Sequence, residues 1–391
     1  MPDFSSTRLW DVHAHPFLNR GAVTPDEFLR LTGFGGGWEP YFAEAGIEAT
    51  PELGAEINEW KRNTTWHKLL VRELSNYFGC ERSLDAVVAA RNAAVASGYK
   101  DYVTALYEDA QLDGAVFDDG YPLPQVDMNA MQAEMGIRCA KIYRIEPLIV
   151  SLLKQDLGWS EFSKAYDDAL NKALTEDGYV GVKSVIAYRT GLDVSPLSRT
   201  TDQGFVALDA IKRGTGGGAV KKLRDHLLCR ALDICSEHGV PMQIHTGMGD
   251  YEVNLVLARP AYLMDLLRFP AYRMTTVILV HMGYPYQREA GYMAHVLPRV
   301  YCDMSEGVPF SGMGAAPILR EILEMAPLHK VMYGSDAYTV PEGIYASAKI
   351  GKRIVTTVLG EMVADDVLTA AEAQDVGEMI LNGTTKRIYN L

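Results

Sequence analysis

Eight short apolar runs, separated by longer stretches with helical spacing, leave few folds open to this chain. They occupy residues 9–12, 114–117, 139–145, 181–186, 241–244, 276–280, 300–303 and 331–333. Parallel strands need a crossover between them, and alternating helices supply it, so the pattern is that of a parallel α/β fold. Several of the runs end on or just before His, Asp or Lys, and a barrel keeps its reactive side chains at the C-terminal ends of its strands. The expectation is a (β/α)8 TIM barrel rather than an open sheet, formed by residues 1–391 as one unit. A chain of 391 residues that is 48% hydrophobic fits such a barrel with insertions and a sizeable core.

About a hundred residues separate the first two runs, where one crossover helix and its loops need roughly thirty. Residues 20–110 are therefore expected to form a helical cap inserted after the first strand, at the pocket mouth or at an oligomer contact. Thr50 followed by Pro51 and Glu52 reads as an N-cap with proline at the first helical position. A second helix should carry Trp66, Leu69, Leu70, Leu74 and Phe78, and Ser83 should cap a third. The glycine-rich stretches 33–37 and 214–218 lack the sequels of phosphate-binding motifs and read as loops, the second a flap over the site.

The formal charge of -13 repels a phosphate backbone, so nucleic acid is not an expected partner. The 5 cysteines include no C-x-x-C pair, which points to reduced thiols in a cytoplasmic protein rather than to disulfides or a zinc ribbon. The N-terminal residues lack the basic and apolar regions of a signal peptide, and no apolar run approaches a membrane span.

The chemistry is concentrated in Asp11-Val12-His13-Ala14-His15. Two histidines at i and i+2 on a strand point the same way and can reach one ion. His245 follows the fifth run, His281 the sixth, and Asp336 stands just past the eighth. Imidazoles with a carboxylate suit a divalent ion such as Zn²⁺, or Mn²⁺, with a position open for water.

With these residues in place, the chain resembles the amidohydrolase superfamily, whose barrels carry H-x-H on the first strand, histidines on the fifth and sixth, and aspartate on the eighth. The segments VKSVIAYRTGL (182–192), QIHTGMGDYEVNL (243–255), LVHMGYPYQREAGYMA (279–294) and YGSDAYTVPE (333–342) resemble its FluG-like branch, often fused to a glutamine-synthetase-like domain. No such ligase domain is expected in this chain, which ends in NGTTKRIYNL. The resemblance implies His13, His15, His245 and Asp336 as metal ligands, with Asp336 also taking a proton from water. It implies His281 as a ligand of a second metal or as a base. It implies Lys183, at the fourth strand, either as a carbamate bridging two ions or as an ammonium holding a substrate carboxylate. A hydrolase acting on an amide follows, with a γ-glutamyl amide as substrate and a functional pairing with a glutamine-synthetase-like ligase. Two alternatives stay open: a mononuclear decarboxylase with the same ligand set, and a catalytically silent barrel serving as a scaffold.

Rim positions next to these residues complete the candidate pocket: Arg144, Glu146, Tyr188, Arg189, Asp250 and Tyr338, with Asp118, Asp119, Asn254 and Glu342 nearby. Arg144 and Arg189 present the planar fork suited to a substrate carboxylate, and each equally suits an ion pair across the rim. His67, His226, His238, His295 and His329 are expected to be packed or solvated.

Overall fold

Each of the apolar runs becomes a strand. The computed structural model describes residues 2–33, 42, 45–122 and 124–391, and only the backbone at 308, 309 and 313. The strands are β1 (Leu9–Ala14), β2 (Leu112–Asp118), β3 (Arg138–Arg144), β4 (Gly181–Ser184), β5 (Met242–His245), β6 (Val277–Val280), β7 (Val300–Asp303) and β8 (Val331–Met332). They form one sheet in chain order, with parallel pairing throughout. The Val12 N–H donates to the Tyr333 carbonyl at 3.1 Å and the Asp336 N–H to the His13 carbonyl at 2.8 Å, bringing β8 back beside β1. The result is a (β/α)8 TIM barrel.

Three strands stop earlier than their apolar runs, β8 by the single residue Tyr333. β3 ends at Arg144 because Ile145 opens the helix Ile145–Leu153. β4 ends at Ser184 because the Ser184 hydroxyl accepts the Ile186 N–H at 3.1 Å and turns the chain. Apolar side chains bury both faces of the sheet, as a parallel sheet requires. Trp10, Val12, Val116, Ile142, Ile278, Val280 and Met332 fill the barrel interior, while a larger cluster joins the outer faces to the surrounding helices.

Between β1 and β2 the chain forms the helices Pro25–Thr32, Pro51–Arg62, Thr65–Phe78, Leu84–Ser97 and Tyr99–Asp109. Thr50 caps the second of these by accepting the Leu53 N–H at 3.2 Å, with Pro51 at the first position. Ser83 caps the fourth by accepting from Ala86 at 3.2 Å. Phe28, Leu70, Leu74, Val87 and Tyr102 from this insertion share the large apolar cluster with the barrel helices. Glu342 opens the long helix Pro341–Ala364 after β8 and, rather than facing the pocket rim, accepts the Arg91 Nε–H at 2.8 Å and the Tyr102 hydroxyl at 2.8 Å. Tyr338 donates its hydroxyl to the Gly33 carbonyl at 2.5 Å, and Thr339 donates to Leu31. The insertion thus grips the loop that follows Asp336.

The glycines at 34–37 lie outside the described residues. Gly214 to Gly218 form the turn between the helices Thr201–Lys212 and Ala219–His238, with Gly214, Gly216 and Gly218 at φ +65°, +84° and +82°. Among the described residues, no helix is long and apolar enough to cross a membrane.

Candidate metal centre

The first strand delivers His13 and His15 to the C-terminal mouth of the barrel. Their rings meet edge to face with centroids 5.2 Å apart. From the other side of the seam, Asp336 brings Oδ1 to 3.0 Å from His13 Nε2 and 3.2 Å from His15 Nε2. His15 turns its Nδ1 to the Asp118 carbonyl at 3.1 Å, which fixes the ring and leaves Nε2 toward Asp336. Beneath them Asp11 Oδ1 accepts the N–H groups of His13 and Ser335, at 3.2 Å and 2.9 Å, joining the ends of β1 and β8.

β5 and β6 place His245 and His281 against each other, ring centroids 4.4 Å apart, and His281 lies 5.4 Å from the His13 ring. Asp303 at the end of β7 accepts the His281 N–H at 2.8 Å and the Ser305 hydroxyl at 2.7 Å. Having given its one proton to Asp303, Ser305 Oγ accepts from His281 Nδ1 at 3.0 Å, which leaves the imidazole lone pair on Nε2. Lys183, at the end of β4, is buried with Nζ 3.3 Å from His13 Nε2.

The histidines, Lys183, Asp303 and Ser305 are buried and Asp336 is 16% exposed, and their electrostatics suit a cation. Burial, then the Lys183 ammonium, brings the His13 pKa down to about 4. Burial and the neighbouring cations and imidazoles hold His245 and His281 well below the usual range. Burial alone would raise Asp336, but His281 and the hydrogen bonds from His13 and His15 outweigh it and hold the carboxyl well below its ordinary value. Neutral imidazoles and an ionised carboxylate are the ligand forms a divalent ion takes. His245 Nε2 and Glu306 Oε2 are buried without a hydrogen-bond partner, which costs free energy unless something charged meets them. His13, His281 and Asp336 offer ligand atoms within 4.8 Å of one another, as do His245, His281 and Glu306. The residues fit a metal ion.

Backbone strain gathers at the same place. Of the non-glycine residues at positive φ, His281 (+74°), Met282 (+59°), Glu306 (+57°), Asp336 (+58°) and Thr339 (+65°) all follow β6, β7 or β8 at this mouth, where such strain is retained for function.

The rim residues divide. Tyr188 packs its ring on His245 at 4.6 Å, and its hydroxyl accepts the Asp250 N–H at 2.8 Å. Arg144 gives Nε and Nη2 to Asp118, the shortest contact being 2.6 Å. Glu146 is buried and accepts the Val185 N–H and the Ser184 hydroxyl, each at 2.8 Å, steadying the exit of β4 beside Lys183. Arg189 and Asp250 are exposed, and Tyr338 reaches toward Gly33 as described above. Sequence reasoning overlooked Glu306, Ser305 and Tyr121, whose ring lies 5.4 Å from that of His15. Away from the mouth, His226 Nδ1 pairs with the Ser198 carbonyl at 2.9 Å, His238 with Asn171 at 2.7 Å and His295 with the Met325 carbonyl at 2.8 Å.

A β-carbon at Gly249 would fall 2.1 Å from the Tyr188 hydroxyl and 3.0 Å from His245 Nε2. Gly249→Ala is expected to displace Tyr188, cutting turnover on the order of 10²-fold at a stability cost of only ~1–3 kcal/mol. Initial rates and urea midpoints measured side by side check this, and equal turnover would refute it.

The fold and donor set define a metal-dependent barrel of a particular family. Residues 161–391 match the family described as Amidohydrolase, more than half of the chain, and the chain belongs to it. The chain is 29% identical to Protein fluG of Emericella nidulans, a match covering 98% of this chain and 46% of that protein. It therefore spans about half the length of the curated relative it matches, and the FluG-like resemblance of its sequence is confirmed. Among solved structures, a protein from Lactobacillus casei ATCC 334 described as a metal-dependent hydrolase superposes with a TM-score of 0.82 at 24% identity, covering 100% of this chain and 98% of that one. Glucuronate isomerase from Caulobacter crescentus superposes with a TM-score of 0.69 at 16% identity, covering 99% and 92%. These two likenesses are of fold.

Proposed function

We propose that the chain is a metal-dependent hydrolase acting on carbon to nitrogen bonds, with an amide substrate. The observation that carries this reading is the convergence of His13, His15, His245, His281 and Asp336, from four strand ends, around buried donor atoms without partners. His13, His15 and Asp336 would hold the ion, Zn²⁺ or Mn²⁺. When bound, it would lower the pKa of water and polarise a carbonyl. Asp336 is the group placed to take a proton from an attacking water and pass it to the leaving nitrogen, because its carboxylate is ionised within the site. Tyr188 walls the pocket beside His245 and limits water access on that side. Arg144, held by Asp118 at the rim, and the exposed Arg189 offer cationic groups to an acidic substrate head.

The FluG-like resemblance supports a γ-glutamyl amide as substrate and a pairing with a ligase that makes such amides. Metal-replete protein mixed with a panel of γ-glutamyl alkylamides and anilides is expected to release free amine, with release lost on chelation and restored by Zn²⁺ or Mn²⁺. No amine from any member, with CO₂ released from unsaturated or aromatic acids instead, would turn the assignment to a decarboxylase.

A further inference from the structure

Past β7 the chain makes a turn that costs energy. Asp303 Oδ1 accepts the N–H and the hydroxyl of Ser305, at 3.1 Å and 2.7 Å, and the Gly307 N–H folds back on the Ser305 carbonyl around Glu306. Glu306 sits at φ +57° and ψ -46°, close to the rare γ-turn that side-chain-bearing residues avoid. Its N–H donates to the Ser335 carbonyl at 3.2 Å, pinning the turn to the loop that carries Asp336. A β-carbon at Gly307 would meet Met282 Sδ at 2.7 Å, so the turn packs too closely on Met282 to take a side chain at that position.

The strain drives a carboxylate inward. The Glu306 side chain is 3% exposed, with Oε2 3.5 Å from His281 Nδ1, yet that oxygen accepts no hydrogen bond, and neither does the buried His245 Nε2 beside it. Two orphaned electron-pair donors in one pocket, next to a second imidazole, make a donor set rather than a packing accident. Tyr188, Asp250, Asp336, Lys183 and Asp303 are the other titratable groups that face Glu306.

We infer that Glu306 is the anionic donor of a second cation subsite, with His245 and His281 as its neutral donors, so that this subsite does not draw its charge from a carbamylated Lys183. The inference rests on the metal-dependent reading given above. His281 is within ligand reach of His13 and Asp336 as well as of His245 and Glu306; assigned to the latter pair, it leaves His13, His15 and Asp336 as the first set. Each set is two imidazoles and one carboxylate, which suffices for a zinc ion that keeps a fourth position open. The Lys183 Nζ addresses His13 at 3.3 Å, on the side of the first set.

The test is metal content per chain by elemental analysis of the 391-residue protein reconstituted with Zn²⁺ and dialysed. Two ions are expected for the wild type, one for Glu306→Gln, two for Glu306→Asp and two for Lys183→Met. A parallel measurement needs no variant: wild-type holoprotein exchanged with ¹³C-bicarbonate should show no lysine carbamate resonance. A Lys183→Met protein that drops to one ion while Glu306→Gln keeps two, or a carbamate resonance in the wild type, overturns the inference. A wild type with a single ion overturns it too but leaves the metal-dependent reading standing. A wild type with none removes both.

Discussion

Asp336→Asn is expected to reduce amine release from any accepted amide about 10³-fold, within the 10²–10⁴ range that a positioned proton-transfer group contributes. The amide oxygen can still sit 3 Å or so from two imidazoles, but it cannot accept a proton from water. The variant should keep its fold, because the Asp336 N–H, which bonds the His13 carbonyl at 2.8 Å and closes the seam, is untouched. Metal analysis and rates on the same samples separate a lost ion from a lost base. An Asp336→Asn enzyme that keeps its ion and more than a tenth of wild-type turnover would show that the proton goes elsewhere.

The largest stability effect should come from a residue remote from the chemistry. Arg91 is 1% exposed and Glu342 0%, and the pair ties the inserted helix Leu84–Ser97 to the start of the long helix after β8. Arg91→Ala strands the Glu342 carboxylate in the interior with only the Tyr102 hydroxyl to solvate it. A buried pair broken on one side typically costs ~3–5 kcal/mol, because the remaining charge is uncompensated. Chemical denaturation should register a loss of that size. The double replacement Arg91→Met with Glu342→Gln, which removes both charges, should recover part of it. A loss under about 1 kcal/mol for Arg91→Ala would mean that water reaches Glu342.

The strands were legible because burial on both faces forces continuous apolar runs, as in Val277 to Val280, and because helical periodicity separates them. The helix starts at Thr50 and Ser83 were legible because capping is a local affair of one side chain and the next turn. The convergence of His13, His15, His245, His281 and Asp336 follows from strand-end positions alone once the barrel is granted. Glu306 was not legible for the opposite reason. It stands beyond β7 in a turn with no periodicity, and nothing local says whether its carboxylate faces water or the pocket. Glu342 misled in the same way: six residues past Asp336 it looks like a rim group, and only the folded chain shows that Arg91, remote in sequence, turns it inward. Arg144 illustrates a third limit, since a guanidinium that suits a substrate carboxylate equally suits Asp118.

The contacts from Gly33, Leu31 and Arg91 to Tyr338, Thr339 and Glu342 bear on how such barrels can be rebuilt. The inserted helices are not a detachable accessory, because their anchor points lie at the far end of the chain, within a few residues of Asp336. Grafting this insertion onto another barrel would require transplanting the 338–342 segment with it, and exchanging it for a shorter loop would leave the strand exit that carries Asp336 without its clamp. The fold of the insertion and the closure of the barrel at β8 are, in this architecture, inherited together.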